Sequence, residues 1–240
     1  MTKRYLLVVF AYIVMQTGLA ILVSWLLIRY FAISGALNIG LSSIITFTIG
    51  LIAILLILRK DEDRGGGLPG KKATVPETIA WSLIGIFLVF ATQTVAGLIE
   101  QQLLGIDQGS ENTAQLVEVA QDFLPFILVV AILGPIIEEL VFRKAIFGWI
   151  YVRTNFFVAA LISSIIFAVI HFDFEHILVY AAMGFSFAFL YVKTKRIIVP
   201  IISHMAINSF VVIVQVVFAE QLAEIMKQYE QQSSFIQLFF

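Results

Sequence analysis

The chain of 240 residues contains no cysteine, three histidines and five prolines. Disulfides, thiolate metal sites and a cysteine nucleophile are therefore excluded. Chemistry that needs an imidazole rests on His171, His176 or His204. Charge is scarce as well. Asp, Glu, Lys and Arg make up 13% of the residues, against about 25% in a soluble domain. That is too little to cover a surface that faces water. The net charge of −1 supplies no basic field, so nucleic acid is not an expected partner. The excess is apolar: 60% of residues are hydrophobic and the mean hydropathy is +1.00. The expected surroundings are a lipid bilayer.

A helix needs about 20 mostly apolar residues to span a membrane. Runs of this kind cover 5–28, 36–58, 79–99, 123–137, 156–170, 177–192 and 197–218, the fifth and sixth being short. The runs are continuous and do not alternate apolar with polar, which argues against a barrel of hairpins. The expected fold is all-α and polytopic, with about seven transmembrane helices enclosing a polar intramembrane cavity. The first run follows Lys3 and Arg4. It is too long for the core of a signal peptide and shows no small-residue cleavage site, so it is read as a retained span.

Lys and Arg set the orientation. With the N-terminus inside, the inner segments hold Lys3, Arg4, Arg59, Lys60, Arg64, Lys71, Lys72, Arg143, Lys144, Arg153, Lys193, Lys195 and Arg196. Arg29 and Lys227 fall outside, so thirteen and two account for all fifteen. Segment 100–122 carries five acids and no Lys or Arg, as an outer loop should. The N-terminus is expected in the cytoplasm of a bacterial cell, with the chain integral to its plasma membrane. Residues 1–60 read as a two-helix front. Residues 61–76, with Gly65, Gly66, Gly67 and Pro69, read as a flexible inner linker. Residues 77–218 form the core. The tail 219–240 lies on the membrane surface or is a loosely ordered end.

Ionisable groups inside a bilayer are costly, and each asks for a reason. They gather in the second half of the chain. Glu139 and Arg143 are four residues apart, share a helix face and can pair. Glu138 points about 100° away and stays free. A free carboxylate in an apolar cavity suits a general base or a metal ligand. Phe167 and His171 share a face, as do His204 and Asn208. Pro200, one turn before His204, can kink that helix. His176 lies in a short polar turn beside Asp173 and Glu175 and reads as an interfacial residue.

The ordered set Glu-Glu-x-x-x-Arg, Phe-x-x-x-His and His-x-x-x-Asn, over residues 134–208, resembles the CPBP family. These are CAAX-type prenyl endopeptidases and bacteriocin-processing intramembrane proteases, also called Abi proteins. The resemblance implies a membrane endopeptidase with a peptide or protein substrate. By the same resemblance Glu138 activates water and Glu139 holds Arg143. His171 shares the water or ligates a metal, and His204 with Asn208 binds the scissile carbonyl. The family is described both as metalloproteases and as enzymes using glutamate and histidine without metal. Glu138, His171 and His204 are a legitimate zinc set, so zinc is a candidate cofactor. No Ser–His–Asp set and no His-Glu-x-x-His motif is present. Two other classes stand beside the protease reading. One is a non-enzymatic bacteriocin-immunity or scaffold protein that keeps the fold. The other is a proton-coupled transporter, which no repeat supports. Cleavage is expected near the cytoplasmic face. Straight helices would put Glu138 and His204 in the inner half and His171 toward the outside. They meet only if the fifth helix is tilted, starts deeper or dips into the cavity. Composition says nothing of oligomeric state.

Overall fold

The computed structural model describes residues 3–59, 68–107 and 109–219, together with 221 and 224. The elements are α1 (Lys3–Phe31), α2 (Gly35–Leu58), α3 (Val75–Leu104), α4 (Glu111–Asp122), α5 (Leu124–Tyr151), α6 (Phe156–Val169), α7 (Ile177–Thr194) and α8 (Ile198–Val217). No strand occurs among the described residues. Among the described residues six helices are long and apolar enough to cross a membrane, and α6 is a shorter apolar helix. The protein is an all-α polytopic membrane protein.

Local chemistry sets the helix ends. Ala32 adopts φ 55° after α1, and Asn38 clamps the turn, donating to the carbonyls of Ser24 and Ile33 at 3.1 Å each. Thr74 opens α3 with a reciprocal capping box to Glu77, and Pro76 occupies the first turn. Gly105 closes α3 at φ 67° and donates to the Glu100 carbonyl. Ser110 caps α4 by accepting from Thr113 N, and Asn155 caps α6 by accepting from Val158 N.

Burial sorts the helices. Half of the most apolar stretch of α5 and of α7 is buried, against 17% for α1, so α5 and α7 are central and α1 peripheral. Large side chains such as Phe10, Ile21, Phe87 and Phe157 point outward from the outer helices, where lipid receives them. Small residues let the inner helices approach closely. A Cβ on Gly184 would lie 3.0 Å from the Ser164 side chain, so α6 and α7 meet there without spacing atoms.

Three expectations change. The fourth span does not stop near residue 137 but runs on to Tyr151, taking Arg143 and Lys144 into the helix. These two basic residues therefore leave the expected inner segments for the helix. Pro200 lies in the first turn of α8 and starts that helix rather than kinking it. The irregular helix is α5, where Val129–Leu133 and Glu139–Phe147 are π-helical and flank Pro135. Finally, the described part of the expected linker is docked. Leu68 is buried, Ala73 N donates to the Thr194 carbonyl at 2.9 Å, and Arg196 Nε donates to the Ala73 carbonyl at 2.9 Å. Residues 61–67 lie outside the described residues, as does most of the tail 219–240.

Candidate active site

The π-helical turns of α5 bring the glutamate pair to the centre of the bundle. Gly134 N bonds to the carbonyl five residues back, at Val129. The Val130 carbonyl accepts instead from Asn208 Nδ2, at 3.1 Å. Single widened turns of this kind are frequent at functional sites. Here one of them ties α8 to α5.

Glu139 and Arg143 pair as the spacing requires, with Nε 3.3 Å from Oε2 and both side chains fully buried. Nη1 and Nη2 of Arg143 find no hydrogen-bond acceptor. They meet aromatic faces instead: the guanidinium carbon lies 4.5 Å from the Phe167 ring centre and 5.2 Å from that of Phe187. The other Glu139 oxygen accepts from His204 Nδ1 at 3.0 Å. A chain Arg143–Glu139–His204 results, in which a buried carboxylate fixes the tautomer and tilt of an imidazole. The ring also stacks on Phe187 at 4.6 Å. With Nδ1–H committed, Nε2 is the nitrogen nearest Glu138, 3.7 Å from its Oε2.

Glu138 turns away from this chain, as its place on the helix predicts. Its side chain is 16% exposed and lines a cavity of about 630 Å³. His171, His204 and Asn208 line the same cavity, whereas Glu139 and Arg143 stand behind its wall. His171 follows the end of α6. Its Nδ1–H donates to the Phe167 carbonyl at 2.6 Å, which leaves Nε2 free of the backbone. Its ring is held between Phe167 at 4.6 Å and Tyr180 at 4.2 Å, the latter stacked.

The depth difficulty disappears with the longer α5. Glu138 lies thirteen residues before Tyr151, and His171 fifteen residues after Phe156. At about 1.5 Å per residue these are about 20 and 22 Å from the connecting turn. The two residues are level on antiparallel neighbours. The fourteen residues of α6 reach only about 21 Å of the roughly 30 Å hydrocarbon core. Phe172 and Phe174, in the turn that carries His171, are strongly exposed, as suits a turn held within lipid.

Four residues escaped the sequence reading. Tyr12 and Gln16 of α1 line the cavity, and Gln16 Nε2 donates to the Tyr12 hydroxyl at 3.2 Å. Their spacing of four in an apolar run is the signal that could have found them. His176 is held by the fold rather than by solvent. It is buried, with Nδ1 2.9 Å from Glu100 Oε2 and Nε2 3.1 Å from the Gly109 carbonyl. Glu100, also buried, accepts from Leu178 N and Val179 N and so caps α7.

Zinc in a hydrolytic site takes three protein ligands and leaves one position for water. Among the described residues, no three His, Asp or Glu side chains converge as such a set. Glu138, His171 and His204 are therefore not gathered as such a set here, although the bond from His204 Nδ1 to Glu139 leaves Nε2 for a ligand, as carboxylate-held imidazoles in metal sites do.

A sequence model of the family described as type II CAAX prenyl endopeptidase Rce1-like matches residues 120–210. All six motif residues fall within that stretch. The chain is 42% identical to "Putative membrane peptidase YdiL" of Bacillus subtilis (strain 168), over 99% of this chain and 97% of the relative. It is 43% identical to "Membrane-embedded CAAX protease MroQ" of Staphylococcus aureus (strain USA300), over 68% of this chain and 66% of the relative. A third similarity, at 34% identity over 55% of this chain and 68% of the relative, is to UPF0177 protein YxdF of Lactococcus lactis. No solved structure matches the chain.

Proposed function

The chain belongs to the Rce1-like type II CAAX prenyl endopeptidase family and is an integral membrane endopeptidase with a peptide or protein substrate, and from that premise we propose that Glu138 activates the water that attacks the scissile carbonyl. The observation that carries this reading is a shared surface. Glu138, His171, His204 and Asn208 come from three different helix regions and line one cavity.

The steps follow from the donors and acceptors present. Water bound between Glu138 and His171 Nε2 loses a proton to the Glu138 carboxylate as its oxygen bonds to the carbonyl carbon. Negative charge develops on the carbonyl oxygen. Asn208 donates its second amide N–H to it, the first being held by the Val130 carbonyl, and His204 lines the same space beside it. An oxyanion donor of this kind is worth about 3–4 kcal/mol. Glu138 then returns the proton to the departing amine, and the carbon–nitrogen bond breaks. Glu139 and Arg143 touch no substrate in this scheme. They hold His204 and are positioning residues. No step passes through a metal.

We place the N-terminus in the cytoplasm of a bacterial plasma membrane, on the distribution of Lys and Arg. Glu138→Gln tests the central assignment. It keeps the size of a side chain on the cavity wall, so the protein folds normally in detergent. Cleavage falls by about 100-fold or more, the usual range for loss of a general base. Products are read as new N-termini in the membrane proteome of cells carrying either form. Undiminished cleavage by the variant would remove Glu138 from the reaction.

A further inference from the structure

The cavity is one-sided. Its lining reaches from Glu138 and His204 at mid-bundle to the turn after α3, where Asp107 and Gly109 are exposed, and to the first turn of α4. It draws on the second half of α3, the first half of α2 and the first turns of α7. No lining residue comes from the other end of the bundle: none from 68–74, from the turn 152–155 or from 195–197. Among the described residues no Lys or Arg lines it. The basic residues cluster at the closed end, with Lys71, Lys72, Arg153, Lys193, Lys195 and Arg196 among them. That end is further sealed by the bonds of Ala73 to Thr194 and Arg196.

We propose that the substrate reaches Glu138 from the extracytoplasmic face of the membrane, through a mouth formed by the turn after α3 and the start of α4. The substrate class is a neutral or basic peptide segment outside the cytoplasm. This rests on the endopeptidase reading and adds the side and the charge. The side follows from the positive-inside rule, because the mouth lies at the end poor in Lys and Arg. The charge follows from the mouth and its surroundings: Asp107, Glu111, Glu118 and Asp122 are exposed, segment 100–122 has no Lys or Arg, and these acids repel an acidic chain. It also replaces the expectation of cleavage near the cytoplasmic face. A lipidated C-terminus made in the cytoplasm would arrive at the sealed end.

The absence of cysteine makes the test direct. Asp107→Cys and Thr113→Cys each place one thiol at the mouth, and Lys71→Cys places one at the closed end. Intact cells are treated with a membrane-impermeant maleimide. The mouth thiols react in intact cells, and Lys71→Cys reacts only after permeabilisation. Glu138-dependent cleavage by each mouth variant is lost on labelling, relative to the same variant unlabelled. The reversed labelling pattern overturns the proposal, as does full cleavage with the mouth labelled. In the unaltered protein, cut sites that vanish with Glu138→Ala lie on extracytoplasmic segments of their substrates. Sites confined to cytoplasmic segments overturn the proposal without any cysteine variant. Cleavage that persists unchanged with Glu138→Ala unseats the protease mechanism instead, and the labelling still reports the side.

Discussion

Replacing Glu139 by glutamine removes a charge and little else. The amide oxygen can still accept the His204 Nδ1–H that the carboxylate accepts at 3.0 Å. Arg143, however, is left inside the bundle without a counter-ion. The pair is 3.3 Å apart and neither side chain is exposed. At an effective dielectric of about 20, charges at that distance attract by roughly 5 kcal/mol. The net loss is smaller than this, because the desolvation cost of the carboxylate also disappears. Removing one member of a buried pair costs about 3–5 kcal/mol. The same i, i+4 pair on an exposed helix contributes only about 0.3–0.5 kcal/mol. Full burial decides between these ranges, so Glu139→Gln is expected to lose about 3–5 kcal/mol of unfolding free energy. The measurement is denaturant unfolding in mild detergent, followed by the fluorescence of the three tryptophans. The double variant Glu139→Gln/Arg143→Met removes the orphaned cation and regains most of the stability. It does not regain the contacts of the guanidinium with Phe167 and Phe187, at 4.5 and 5.2 Å. Nor does it regain cleavage, since His204 loses its charged anchor. A loss under about 1 kcal/mol for Glu139→Gln, the range of exposed pairs, would refute the argument from burial. Full cleavage by the double variant would refute the positioning role.

Three further outcomes are expected. Tyr180 stacks on His171 at 4.2 Å, and its hydroxyl meets Ser110 Oγ at 2.9 Å and Asn112 Nδ2 at 3.2 Å. Tyr180→Phe should therefore keep kcat near that of the parent, and Tyr180→Leu should lower kcat with little change in KM; equal kcat for the two variants would contradict a positioning role for the ring. His176 ties the turn before α7 to Glu100 and Gly109. Burial pulls its pKa down, but the hydrogen bonds to Glu100 and Gly109 and the charges of Asp173 and Glu100 outweigh it, and the net shift is upward from 6.5. A raised folded pKa means that its stabilisation is complete below 6.5 and fades as pH rises through the raised value. The gap in melting temperature between the parent and His176→Gln should narrow with rising pH, and a gap that widens would reverse the assigned sign. Lastly, the detergent-purified enzyme should cleave after exhaustive chelation, and stoichiometric zinc that disappears in His171→Ala, measured by plasma mass spectrometry, would restore a metal mechanism.

Much of the fold could be read without coordinates. Each long apolar run became a helix, because a chain in lipid must satisfy every backbone group within itself. The pairing of Glu139 with Arg143 and the divergence of Glu138 followed from helix periodicity, which survives even where α5 widens into π-turns. The bond from Glu139 to His204 had no such signal. It joins residues 65 positions apart and depends on how α5 and α8 cross. His176 looked solvated because its neighbours in sequence are polar. Its actual partner is Glu100, 76 residues earlier. Tyr12 and Gln16 carry no signal beyond their spacing of four, and it is the packing of α1 against α5 that turns them into the cavity.

The sequence alone determined the solvent, the helices, the sided distribution of charge and the local geometry of each motif. These depend on composition and on neighbours within one helical turn. Only the tertiary structure decided that Glu138 and His171 are level, that Arg143 is sealed behind the wall, and that the cavity opens at the end poor in basic residues. Those are relations between helices. They are set by close approaches such as Gly184 on Ser164 and by the bond from Asn208 to a carbonyl freed by the π-turn of α5. No periodicity within a single helix encodes them.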